Sequence, residues 1–75
     1  MTTPVFVGLD IGSSRTKVAV IDAGRRVLGH AVRKSGTDFS ATAAACLVES
    51  LEMAGARRDG IASAISTGYG RANVA

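Results

Sequence analysis

The stretch Asp10-Ile11-Gly12-Ser13-Ser14-Arg15-Thr16-Lys17 constrains this chain more than any other. It lies between two apolar runs, Val5 to Leu9 on one side and Val18 to Ile21 on the other, so the chain has to double back within a few residues. An acid ends the first run, Gly-Ser-Ser makes the turn, and a lysine opens the second run. These parts suffice for a phosphate-and-magnesium site. A tight turn presents backbone N–H groups to phosphate oxygens. The hydroxyls of Ser13 and Ser14 add donors, Lys17 adds positive charge, and Asp10 can hold a cation directly or through water. A hairpin built only to turn favours a short Asn-Gly or Asp-Gly pair. On the residues alone the plain-hairpin reading stays open beside the phosphate reading. The segment is not a Walker A loop, which needs Gly-Lys-Ser/Thr at a fixed spacing.

The rest of the chain reads as β-β-β-α-β. Val5–Ile11 is apolar on both faces, as a buried central strand is. Lys17–Asp22 reads as a second strand. Asp22-Ala23-Gly24-Arg25 makes a turn in which Gly24 is free to take positive φ. Arg26–Val32 makes a third strand and completes an antiparallel meander. Ser35-Gly36-Thr37-Asp38 is a loop, and Asp38 or Ser40 caps a helix from about Ala41 to Ala54. Ala43, Ala44, Leu47, Val48 and Leu51 recur at helical spacing, with Glu49 and Glu52 on the wet face. Gly55 is the stop, and Ala56 to Gly60 is a basic loop.

Ile61–Thr67 is the fourth strand. A strand that returns after a helical crossover lies parallel to its neighbour, which puts it beside the first strand. Asp10 and the Gly68-Tyr69-Gly70-Arg71 segment then share the edge where open α/β sheets bind ligands. That segment is either a loop lying across a cleft or a simple strand-exit turn. It is not a dinucleotide fingerprint, because Asn73 stands where the third glycine would be.

Composition excludes several classes. The chain has 75 residues, 47% of them hydrophobic and 20% charged, which is a globular composition for one small domain. A domain of roughly 60 residues buries only about 60% of its unfolded surface. Gly-Arg-Ala-Asn-Val-Ala carries no stop signal for the last element and a phosphate loop needs more structure around it, so an N-terminal piece of a longer nucleotide-binding protein is expected. The formal charge of +3 is spread along the chain. Nucleic-acid binding favours a dense basic stripe or aromatic interleaving, and neither is present. No apolar run approaches the length that spans a bilayer, and Met1-Thr2-Thr3-Pro4 lacks the basic start of a signal peptide. The single cysteine, Cys46, makes no disulfide framework and points to the reducing cytoplasm. It reads as a small buried apolar residue. His30 reads as structural or surface, and Asp22 as serving its turn. There is no Ser/His/Asp set.

With both motifs placed, the chain resembles a known family. Val7-Gly8-Leu9-Asp10-Ile11-Gly12-Ser13-Ser14-Arg15-Thr16-Lys17 is similar to the first phosphate motif of the actin, heat-shock chaperone and sugar-kinase superfamily. Ile65-Ser66-Thr67-Gly68-Tyr69-Gly70-Arg71 narrows the resemblance to the ATPase activators of 2-hydroxyacyl-CoA dehydratases and the related ATPase subunits of benzoyl-CoA reductases. The resemblance implies a ribonuclease-H-like, actin-like ATPase subdomain with a mixed α/β sheet, here incomplete. It implies Mg²⁺ and ATP, with Asp10 as a catalytic residue holding the Mg²⁺ shell. Gly12, Ser13, Ser14 and Lys17 would contact the phosphates, and Gly68 and Gly70 would line the nucleotide.

It further implies a dimer partner subunit, a [4Fe-4S] cluster bridging the two subunits, and an acyl-CoA dehydratase or reductase that receives a low-potential electron. The family's second phosphate motif, adenosine site and cluster cysteines have no counterpart here, and Cys46 matches none of those cysteines. The isolated chain is thus expected to hold no cluster and to hydrolyse ATP poorly. Two other readings stay beside this one: a sugar-type kinase of the same superfamily, and a non-catalytic nucleotide-binding module or remnant.

Overall fold

The computed structural model describes residues 4–68. Four strands form one sheet: β1 (Val5–Ile11), β2 (Arg15–Asp22), β3 (Val27–Lys34) and β4 (Ile61–Gly68), in the order β3-β2-β1-β4. β1 pairs antiparallel with β2 and parallel with β4, and β2 pairs antiparallel with β3. A helix, α1 (Phe39–Ala54), and a short 3-10 turn at Arg58–Gly60 make the crossover. The expected β-β-β-α-β order and mixed sheet are therefore present.

The differences from the sequence reading are local. β2 begins at Arg15 rather than Lys17, and β3 runs from Val27 to Lys34. The hairpin narrows at once because Gly12 N–H donates to the Arg15 carbonyl at 2.9 Å. In the next hairpin the positive φ falls on Arg25, at 66°, and not on Gly24. Asp22 explains the shift. Its carbonyl accepts from Arg25 N–H at 3.0 Å and its Oδ1 from Arg26 N–H at 2.9 Å, so one residue both closes the turn and anchors the approach to β3.

α1 starts on Asp38, whose carboxylate accepts from Ala41 N–H at 3.0 Å. It ends on Gly55 in the left-handed conformation, φ 67°, with Gly55 and Ala56 N–H donating to the Glu52 and Leu51 carbonyls. Its inward face differs from the one expected. Ala43, Cys46, Ser50 and Leu51 are buried, whereas Ala44 and Val48 face solvent. The reason is close approach to β3. Gly29 has no side chain, and a Cβ there would overlap the Ser50 carbonyl and lie 2.9 Å from Ala54 N. Small helix residues at that contact let α1 lie against β2 and β3, while Leu47 is only half-buried.

The core lies on this one face of the sheet: Val5, Val7, Leu9, Ile11, Val18, Val20 and Ala31 against Ala43, Cys46 and Leu51. The alternation along β1 and β2 is a one-sided pattern, not that of a strand buried on both faces. The opposite face is open. Gly8, Asp10, Lys17, His30, Val32 and Ile65 line a shallow basin of about 530 Å³ there, and Ile65 is 66% exposed.

Candidate functional site: the turn at the carboxyl ends of β1 and β4

Asp10 lies next to last in β1, on the open face and exposed to solvent. Its register partner in β2 is Lys17, and in β4 it is Thr67. Ile11 is in register with Gly68. The parallel pairing thus brings Asp10, the Gly12–Ser14 turn and the end of β4 to one edge of the sheet. That is the edge at which ligands approach open α/β sheets. Tyr69, Gly70 and Arg71 lie outside the described residues.

An acid and a lysine directly opposite on adjacent strands have their Cβ atoms about 5 Å apart. Among the described residues Asp10 and Lys17 form no ion pair, and both side chains are exposed. Their charges are available to a ligand at the edge. No group of three or more His, Cys, Asp or Glu gathers as a metal site among the described residues. A cation at Asp10 would complete its shell with phosphate oxygens and water, which is how Mg²⁺ is commonly held. The donor set fits that use.

Each turn residue has its own part. Gly12 N–H is spent on the Arg15 carbonyl, so Gly12 contributes its missing side chain instead. A Cβ there would stand 2.9 Å from the Arg15 carbonyl oxygen and would force the hairpin open. Ser13 and Ser14 form the exposed tip.

Two residues that the sequence reading passed over support this turn. Thr16 and Ser35 are both fully buried beneath it. Ser35 Oγ donates to the Gly12 carbonyl at 2.5 Å, and Ser35 N–H donates to the Ser14 carbonyl at 2.9 Å. Thr16 Oγ1 lies 2.9 Å from Ser35 Oγ, and Thr42 Oγ1 donates to the Ser35 carbonyl at 2.8 Å. Thr16 had a signal in the sequence: it alternates with Arg15 and Lys17, so a strand starting at Arg15 points it inward. Ser35 had none, because a serine in a Ser-Gly-Thr-Asp run reads as a plain loop residue.

Cys46 is fully buried, and its Sγ lies 3.8 Å from the Thr16 carbonyl. Burial raises its thiol pKa above the ordinary value, against the lowering pull of the Arg33 charge. It belongs to the packing and not to the site. His30 is exposed on the open face.

No protein-family model matches the chain. Over 67 residues the chain is 31% identical to an activator of lactoyl-CoA dehydratase from Anaerotignum propionicum, a match covering 89% of the chain and 26% of that protein. Component A of the (R)-2-hydroxyglutaryl-CoA dehydratase of Acidaminococcus fermentans superposes with a TM-score of 0.81 at 28% identity, over 93% of the chain and 27% of its own. The activator of 2-hydroxyisocaproyl-CoA dehydratase from Clostridium difficile, solved with bound ADPNP, superposes with a TM-score of 0.83 at 30% identity, over 95% of the chain and 26% of its own. The chain thus spans about a quarter of the length of these relatives. In sequence and in fold it is related to the activators of 2-hydroxyacyl-CoA dehydratases, and it carries part of their actin-like ATPase fold.

Proposed function

We propose that this chain is the N-terminal part of an ATP-hydrolysing activator that drives a low-potential electron into a 2-hydroxyacyl-CoA dehydratase or a benzoyl-CoA reductase. One observation carries the reading: Asp10, the Gly12–Ser14 turn and Lys17 stand together at the carboxyl ends of two parallel neighbours. The bound ADPNP in the C. difficile relative supports a nucleotide as the ligand.

Phosphoryl transfer is catalysed mainly by positioning and charge stabilisation, and the residues divide accordingly. Ser13 and Ser14 offer N–H and hydroxyl donors at the tip. Lys17 faces the negative charge of the phosphates. Asp10 would hold Mg²⁺, which would supply positive charge to offset that of the phosphate oxygens. Gly68 and Gly70 would contact the nucleotide.

An iron–sulfur cluster does not fit the described residues, since Cys46 is alone and sealed in the core. Its ligands have to come from other residues, and a dimer partner would share it. The open sheet face and the exposed Ile65 support a larger folded unit around this one. Among the described residues no helix is long and apolar enough to cross a membrane. The proposed electron transfer would take place in the cytoplasm.

The test is phosphate release from Mg-ATP by the intact protein, prepared without oxygen, together with turnover of an added dehydratase component. The account expects ATP-dependent dehydration that stops when ATP is replaced by ADPNP. Dehydration at the same rate without any nucleotide would refute it.

A further inference from the structure

We propose that Ser35 is the positioning residue of the phosphate loop, holding the two carbonyls of the Gly12–Ser14 turn inward so that the Ser13 N–H faces an incoming phosphate. This rests on the reading of the turn as a nucleotide site.

A hydroxyl has one hydrogen to give. Ser35 Oγ gives its own to the Gly12 carbonyl, so at the 2.9 Å contact Thr16 Oγ1 has to be the donor. The hydrogen bonds therefore run one way, from Thr16 to Ser35 to Gly12. Ser35 N–H takes the Ser14 carbonyl at the other end of the turn. One residue grips both sides of the tip from beneath.

Peptide planarity turns this grip into a binding geometry. The peptide is trans, since there are no cis bonds among the described residues. Carbonyl and N–H of one trans peptide unit point in opposite directions. With the Gly12 carbonyl drawn down toward Ser35, the Ser13 N–H of the same unit points up and out. A donor fixed before the ligand arrives needs no reorganisation on binding. Precise sites depend on such buried support, because small displacements of a donor remove most of its effect.

Ser35 is itself fixed. Thr42 Oγ1, in the first turn of α1, gives its one hydrogen to the Ser35 carbonyl at 2.8 Å, with the Asp38 carbonyl 3.1 Å away. The loop tip is thereby tied through Ser35 to the start of the helix.

The experiment measures two quantities in the intact protein: the Kd for Mg-ADPNP by calorimetry, and the backbone order of Ser13 and Ser14 by ¹⁵N relaxation. Ser35→Ala is compared with Ser50→Ala, which removes another fully buried hydroxyl, one bonded to the Cys46 carbonyl at 2.7 Å and away from the turn. Ser35→Ala is expected to weaken binding about tenfold, a fraction of the loss seen when such a donor is removed outright. The Ser13 and Ser14 order parameters should fall from about 0.85 toward 0.6.

Ser50→Ala should lower the melting temperature and leave both readouts unchanged. Should Ser35→Ala fail to fold, Thr16→Val keeps the shape, removes the donor to Ser35 Oγ, and should move both readouts in the same direction by less. Wild-type order and affinity in the Ser35 and Thr16 variants would overturn the proposal. A wild-type protein that binds no Mg-ADPNP would instead sink the nucleotide reading, and the relaxation data would still decide whether Ser35 holds the turn.

Discussion

Gly29 in β3 packs directly against the backbone of Ser50 in α1, so closely that any Cβ on Gly29 would overlap the Ser50 carbonyl oxygen. The neighbouring Ala54 N would lie 2.9 Å away and Ala54 Cβ 3.2 Å away. All three atoms belong to helix backbone or to a short side chain, so none can swing aside. The contact sets how near α1 comes to the sheet, and thereby where the first turn of the helix meets Ser35 and the Gly12–Ser14 turn.

Gly29→Ala should accordingly cost more than the usual overpacking of a core. Inserted methyl groups destabilise by about 1–3 kcal/mol, and this one should fall at or above the top of that range. Chemical denaturation of the intact protein reads it. A loss below about 0.5 kcal/mol, typical of an open surface site, would show that the helix stands further from the sheet.

Cys46 yields a prediction with a definite sign in pH. Burial raises its thiol pKa, with the Arg33 charge opposing and Glu49 adding to the rise. The folded protein keeps the thiol proton at a pH where the unfolded chain loses it. The stabilising contribution is therefore complete below the ordinary thiol value of 9.0 and is lost as pH rises through the folded value. As pH rises above 9.0, wild-type stability should fall more steeply than that of Cys46→Ala. Equal slopes would mean that the thiol titrates normally. At neutral pH a thiol reagent should modify Cys46 only on unfolding.

The ion pair between Arg33 and Glu49 should matter little. Two guanidinium nitrogens reach the same Glu49 oxygen at 3.0 and 3.2 Å, but both side chains are half exposed. Exposed pairs contribute about 0.2–1 kcal/mol and are screened by salt. Glu49→Gln should shift the denaturation midpoint slightly in dilute buffer and not at all in about 1 M salt, where screening acts within a few ångströms. A loss that persists at high salt would assign the glutamate a packing role.

Much of this architecture is legible in the residues. Apolar runs bounded by turn residues mark the four strands, Asp38 and Gly55 bracket the helix, and the crossover makes β4 parallel to β1. The misses share a physical cause. They depend on contacts between elements, which local patterns do not encode. Helical spacing alone favours Ala44 and Val48 as inward residues, whereas the glycine at position 29 selects the small-residue side of the helix instead. Gly24 is the natural candidate for positive φ, yet the Asp22 hydrogen bonds move it to Arg25. For the site, Asp10, Gly12 and Lys17 stand out by type and spacing. Ser35 does not, because its role arises only where the loop after β3 passes beneath the turn.

The central claim is that the Gly12–Ser14 turn, with Asp10 and Lys17, receives the phosphates of a magnesium nucleotide. Calorimetric titration of the intact protein with ADPNP, with and without Mg²⁺, tests it most directly when repeated on Asp10→Asn and Lys17→Ala. The account predicts Mg²⁺-dependent binding, a Lys17→Ala affinity lower by about tenfold to a hundredfold, as for loss of a charged hydrogen-bond partner, and an Asp10→Asn protein whose binding no longer responds to Mg²⁺. Binding that ignores Mg²⁺ and is unchanged in both variants would contradict it.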